Sequence, residues 1–143
     1  MAEGQKRNVP DYLAKLKAVN NEPIASFLGM KLIELTPGYS KVTMKLRPEY
    51  QNFNGVTFGG IIMAMADQAF AYASNSVSHP AVAVEFQMHF LSSPNPDDEL
   101  TAEGRVLKNG RRAGISEMTV TNQNGKLIAK ATGTTIPLQE REQ

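Results

Sequence analysis

The 143 residues carry 15 Lys and Arg against 14 Asp and Glu, a formal charge of +1 at pH 7, which excludes the broad basic field that nucleic acid calls for and the acidic character of a solvating tail. There is no cysteine, so disulfides and thiolate chemistry are excluded, and His79 and His89, the only imidazoles, are too few for a histidine-rich metal site. The length suits one domain, residues 1–143.

In chain order, the opening "MAEGQKRNVP" has no apolar segment that could serve as a secretory signal, and a soluble cytoplasmic protein is the expectation. In "PDYLAKLKAVNNEPIASFLG", Asp11 offers a cap and Leu13, Leu16 and Val19 recur at helical spacing, so residues 1–29 form an N-terminal helical segment. "MKLIEL", the turn pair Pro37–Gly38 and "YSKVTMKL" predict a hairpin, with Val42, Met44 and Leu46 alternating with polar residues. From Ile61 to Ala73 the chain is apolar on every side apart from Asp67 and Gln68, the pattern of a helix wrapped by other structure. A membrane span needs about 20 apolar residues, and a carboxylate interrupts this run well before that. "AVAVEFQMHFL" predicts a long strand with Val82, Val84, Phe86, Met88 and Phe90 on one core face, leaving His89 on the polar face. "ELTAEGRVLK" and "RRAGISEMTVTN" are joined by Asn109–Gly110, a pair suited to the left-handed turn of a tight hairpin, and Asn124–Gly125 repeats the device before "KLIAKATGTTIPL". Helix, two strands, one long helix and about four strands in a meander make an α+β fold on an antiparallel sheet, with a loose tail over 139–143.

Asp67 is the first candidate for chemistry. A desolvated carboxylate has a raised pKa and becomes a useful base near neutral pH; the plainer reading is a group that caps or pairs with a structural neighbour. Gly59 and Gly60 stand at the helix start, where the first N–H groups have no intrahelical partner and the dipole is positive. Developing negative charge on a ligand oxygen is stabilised there, although a glycine pair also serves simply to turn a loop.

"NFNGVTFGGIIMAMADQAFAYASNS" resembles the signature of the PaaI-like acyl-CoA thioesterases of the hotdog-fold superfamily: Asn, a few residues, Gly, then His-Gly-Gly, and an acidic residue two helical turns on. The resemblance implies a hotdog fold, one long central helix wrapped by a curved antiparallel sheet, whose subunits pair their sheets side by side. It implies that Asp67 is nucleophile or general base, that the Gly59 N–H polarises the thioester carbonyl, and that Asn52 positions the water or the substrate. Phe58 replaces the family's usual histidine, which leaves a backbone donor at Gly59 intact and removes a side-chain hydrogen bond.

Gly59 and Asp67 are eight residues apart, roughly 12 Å at about 1.5 Å of rise each, whereas reacting groups converge to about 3 Å. One straight helix therefore cannot present both to one carbonyl. Two antiparallel helices across a two-fold axis can, so a homodimer with shared sites is expected, and a dimer of dimers is compatible with it. Lys108, Arg111 and Arg112 in "KNGRR" are candidates for the phosphates of coenzyme A, or a plain solvated surface. Phe58, Met63 and Phe70 suggest an apolar acyl pocket, with Phe58 and Gly60 among the substrate-contacting residues. The expected function is hydrolysis of an acyl-CoA to a carboxylic acid and coenzyme A, without metal or cofactor. The alternative is a non-catalytic acyl-CoA or lipid-binding hotdog protein; a hotdog dehydratase is a weaker third, since its catalytic histidine has no counterpart in the motif.

Overall fold

A computed structural model describes residue 14 and residues 22–138. The predicted N-terminal helix with Leu13, Leu16 and Val19, and the tail over 139–143, lie outside the described residues. The elements are α1 (Pro23–Leu28), β1 (Lys31–Thr36), β2 (Tyr39–Lys45), a 3-10 turn (Pro48–Tyr50), α2 (Gly59–Asn75), β3 (Ala81–Phe90), β4 (Glu99–Asn109), β5 (Gly114–Asn122) and β6 (Leu127–Pro137). All six strands form one antiparallel sheet in the order β1-β2-β4-β5-β6-β3, and α2 lies across its concave side, mainly over β2, β4 and β5. This is the hotdog arrangement.

Alternation seats the sheet on the helix. Val42 and Met44 of β2, Leu100 and Ala102 of β4, and Met118 and Val120 of β5 point inward onto Met65, Ala66, Ala69 and Phe70, all at most 1 % exposed. The helix sits close because β4 has Gly104 beneath it: a Cβ there would lie 2.6 Å from the Ala69 carbonyl oxygen, which cannot move without breaking the helix. That same oxygen accepts a hydrogen bond from the Ser40 hydroxyl at 2.6 Å, fixing α2 to β2.

Four expectations need correction. The last four strands are not a meander: β3 pairs with β6, and β4 with β2 and β5, so the chain crosses from one sheet edge to the middle after Phe90. Val82 does not share a face with Phe86, Met88 and Phe90. A bulge between Ala83 and Glu85 adds one residue, which inverts the alternation. Val82 consequently opposes the exposed Ile136, while the other three oppose Gly133, Ala131 and Ala129 on the inner side. That inner face is incompletely covered, with Val84 and Phe90 more than half exposed. The pair Asn109–Gly110 forms no left-handed turn: Asn109 still pairs with Gly114, and the bend is closed by the Gly110 N–H on the Ala113 carbonyl, without a positive φ. At the second hairpin only Gly125 is left-handed, at φ 77°, and the Asn122 side chain accepts from the N–H groups of Asn124 and Lys126. Finally, α2 is not wrapped on every side, since Met63, Asp67 and Ala71 form an exposed stripe. Among the described residues, no helix is long and apolar enough to cross a membrane.

Candidate active site

The site is organised by the loop that leads into α2. Asn52 holds it: its N–H donates to the Val56 carbonyl at 2.8 Å, its carbonyl accepts from Gly55, and its side-chain oxygen accepts from the N–H groups of Asn54 and Val56. Asn52 is thus a turn-forming residue whose side-chain NH2 makes no hydrogen bond among the described residues. The Phe58 N–H then donates to the Tyr50 carbonyl at 2.7 Å, and the helix begins at Gly59 with Phe58 as a cap residue whose side chain makes no capping bond.

The Ile61 N–H takes the Phe58 carbonyl, while no acceptor among the described residues takes the N–H groups of Gly59 and Gly60. An uncapped helix start of this kind directs donors and positive dipole outward. Two aromatic rings flank it. A Cβ on Gly59 would meet the Phe90 ring at 3.3 Å, and one on Gly60 would meet the Phe58 ring at 2.5 Å, so each glycine makes room for one ring. Beside Gly59 lies a cavity of about 270 Å³ lined by Thr57, Ile62, Phe90, Leu91, Ser92, Ser93 and Pro94.

Asp67 lies two turns on, in the exposed stripe, and not inside its own chain as the apolar run suggested. Flanking protein still desolvates its carboxyl and raises its pKa above the ordinary 3.8. Its neighbour Gln68 is the one turned inward, and its amide donates to the Glu22 carboxylate at 2.8 Å, as does the Tyr72 hydroxyl at 2.8 Å. A larger cavity of about 630 Å³ lies on that side, between α1, β1 and Tyr72, and none of the residues selected from the sequence lines it.

Within one chain the selected residues are only partly brought together. Asn52, Phe58, Gly59 and Gly60 cluster at the start of α2. Lys108, Arg111 and Arg112 are exposed at the opposite end, where the Asn109 amide reaches the Val77 carbonyl just beyond the helix; sixteen residues of helix, roughly 24 Å, separate Gly59 from Asn75. Phe70 is only 1 % exposed and packs against Gly133 and Phe86, so it belongs to the core and not to an acyl pocket. Phe58 and Met63 are exposed. Sequence reasoning missed Thr57 and Phe90 as residues of the site. Thr57 lies inside the quoted motif; Phe90 arrives from a distant strand, and nothing local marks it. No group of three or more His, Asp or Glu able to hold a metal occurs among the described residues.

Comparison with known proteins places this geometry in a family. A model of the Thioesterase superfamily matches residues 54–129, from the loop before α2 into β6. The chain belongs to the Thioesterase superfamily. It is 34 % identical over 109 residues to the acyl-coenzyme A thioesterase PaaI of Escherichia coli, covering 76 % of this chain and 78 % of that protein. The solved structure of the E. coli PaaI protein, from the phenylacetic acid degradation operon, superposes with a TM-score of 0.85 at 30 % identity, over 92 % of this chain and 94 % of the other. A Streptococcus mutans protein solved with acetyl CoA bound superposes with a TM-score of 0.74 at 29 % identity, over 79 % and 91 % of the two chains. The superfamily segment spans the whole candidate site except Asn52.

Proposed function

We propose that this chain is an acyl-CoA thioesterase that hydrolyses a thioester to a free acid and coenzyme A at two sites shared between subunits of a homodimer. The observation that carries this reading is the pairing, on one straight helix, of an uncapped Gly59–Gly60 start with an exposed carboxylate at Asp67. The donors and the base complement each other chemically, yet lie roughly 12 Å apart along the axis, so they converge only across a two-fold axis.

A long edge strand supports that axis. Among the described residues β3 pairs with β6 alone, and its outer backbone edge is free apart from Ala81, whose N–H and carbonyl are held by the Asn75 side chain; Val84 and Phe90 on the strand are exposed, as is Met63 on α2. An unprotected apolar edge of that length is a template for another strand. Pairing β3 with its copy extends the sheet and sets the two α2 helices antiparallel, which carries Asp67 of the partner subunit to the Gly59 N–H.

In the reaction, the carbonyl oxygen accepts a hydrogen bond from the Gly59 N–H, which stabilises the negative charge that develops on that oxygen as the carbon becomes tetrahedral. Asp67 of the partner subunit takes a proton from the water that attacks the carbon, or attacks the carbon itself to form an acyl anhydride that water then hydrolyses; in either case the thiolate of coenzyme A leaves and takes up a proton. The Asn52 NH2, which makes no hydrogen bond among the described residues, holds the water or the substrate. Antiparallel helices also put the Lys108, Arg111 and Arg112 turn of the subunit supplying Asp67 on the same side of the site, beyond the start of the other helix, where the phosphates of an extended coenzyme A would reach it. Phe58 and Gly60 line the approach.

Phe58 in the position of the family's histidine favours one second reading, a hotdog protein that binds acyl-CoA without turning it over. Release of free thiol from a panel of acyl-CoAs by the purified protein decides between them: turnover establishes the hydrolase, and tight binding without thiol release establishes the binder.

A further inference from the structure

Beside the start of α2 lies a buried polar group that the reaction above does not use. Thr57 is 7 % exposed, and its hydroxyl makes no hydrogen bond among the described residues. Every side-chain oxygen and nitrogen fully closed off from solvent there has a partner, so this hydroxyl must keep an opening, and the cavity of about 270 Å³ that Thr57 lines supplies one. That cavity is also lined by Gly59, two residues on, whose N–H is unclaimed. Leaving a buried hydroxyl unpaired is unfavourable; of the remaining walls, Ile62, Phe90, Leu91 and Pro94 are apolar, and neither Ser92 nor Ser93 makes a hydrogen bond with it.

We infer that the Thr57 hydroxyl is a second hydrogen-bond donor to the thioester carbonyl oxygen, acting with the Gly59 N–H in the role left open by Phe58. The inference rests on the thioesterase reading and adds a catalytic residue to it. Thr57 and Gly59 border the same cavity from either side of Phe58, whose N–H is committed to Tyr50 and whose ring packs over Gly60. As the nucleophile bonds to the carbonyl carbon, the π electrons move onto oxygen; Thr57 stays protonated and its hydrogen bond strengthens with the charge. The cavity then receives the acyl group. At about 30 Å³ for each water-sized unit it has room for roughly nine non-hydrogen atoms.

Two non-hydrolysable acyl-CoA analogues with the same acyl chain test this directly: a ketone, with CH2 in place of sulfur, keeps the carbonyl, and a thioether, with CH2 in place of the carbonyl, lacks it. Thr57→Val should weaken ketone binding by about tenfold while leaving the thioether within about twofold, and should lower kcat/KM for acyl-CoA by about tenfold or more, the scale of losing one donor to the oxyanion. Thr57→Ser should restore both. An equal effect on the two analogues, or none, overturns the inference. Thr57→Ala repeats the comparison if the valine variant fails to fold. Should wild type bind the analogues but release no thiol, the thioesterase reading fails, while the contrast between ketone and thioether still decides whether Thr57 meets the carbonyl. Wild type that binds neither analogue overturns both.

Discussion

The shared site can be tested by complementation between two inactive chains. Asp67→Asn removes the base, for an expected loss of about a hundredfold or more, and Gly59→Pro removes the N–H, for a loss of about 10²–10³. The structure makes the proline substitution clean. Gly59 is the first residue of α2 and lacks a positive φ, Phe58 before it is extended at ψ 128°, and no acceptor among the described residues loses a donor, so a ring is admissible there. A Cβ there would meet the half-exposed Phe90 ring at 3.3 Å, close enough that the ring must give by a few tenths of an ångström. Unfolding the two variants, mixing them in equal amounts and refolding makes about half of the dimers mixed if pairing is random. A mixed dimer has one site with both defects and one with neither, so activity should recover to about a quarter of that of refolded wild type, far above a background of about one per cent. With dimer mass and circular dichroism preserved in both variants, no recovery would refute a site built across subunits.

Asp67→Asn should also remove the acid limb of kcat/KM. That limb should lie above the ordinary carboxylate value of 3.8, because desolvation raises the pKa of Asp67; the same raised value means the folded chain holds this proton to higher pH, so the contribution of Asp67 to stability falls as pH rises above 3.8 and the Asn variant should be at least as stable as wild type at pH 7 by thermal melting. Arg111→Ala with Arg112→Ala should raise KM for acyl-CoA and much less for an acyl-pantetheine thioester, and added salt should weaken only the former; equal effects would return this turn to plain surface. Gly133→Ala should cost about 2 kcal/mol in urea unfolding, since a Cβ there would lie 2.3 Å from the fully buried Phe70 ring, and the cost should shrink in a Phe70→Leu background. Asp98 is held below the usual carboxylate range by hydrogen bonds from Gln123, the Asn95 N–H and Asn122, against desolvation, so its contribution is present above pH 3.8 and lost as pH falls through its lowered value; Asp98→Asn should flatten the acid end of a stability–pH curve.

Local pattern made much of this legible. Alternation in "YSKVTMKL" and the turn at Pro37–Gly38 located the first hairpin, and Gly38 does turn with φ 79°. The helix and its glycine start were legible because an unbroken apolar run after two glycines has few other structures. What was not legible depends on distance. Neither the crossing that places β3 beside β6 nor the bulge at Val84 leaves a periodic trace, and each changes which residues meet. Helical periodicity reports that a face is apolar but not what covers it. Asp67 and Gln68 are adjacent interruptions of one pattern, yet Gln68 is tied to Glu22 inside the fold and Asp67 faces outward. Asn52 was legible as important; that its oxygen forms the turn, leaving only its NH2 for a ligand, depends on bonds to Asn54 and Val56 that spacing alone does not specify.

The exposure of Asp67 strengthens the case for a functional carboxylate. A carboxylate sealed within one subunit would need a permanent partner to offset its desolvation, and a permanent partner would lower its pKa and blunt it as a base. Asp67 has no salt-bridge or hydrogen-bond partner among the described residues, and its pKa is already raised by its own chain. Laying a second α2 against the Met63, Asp67, Ala71 stripe would remove more water from the carboxylate, which raises its pKa, while the unclaimed N–H groups and positive dipole end of the opposing helix start would act in the other direction by favouring its charged form. The same association that covers the apolar edge of β3 would thus set the base beside the group that stabilises the oxyanion. Base and oxyanion donors then meet only on pairing, and a monomeric variant should lose turnover.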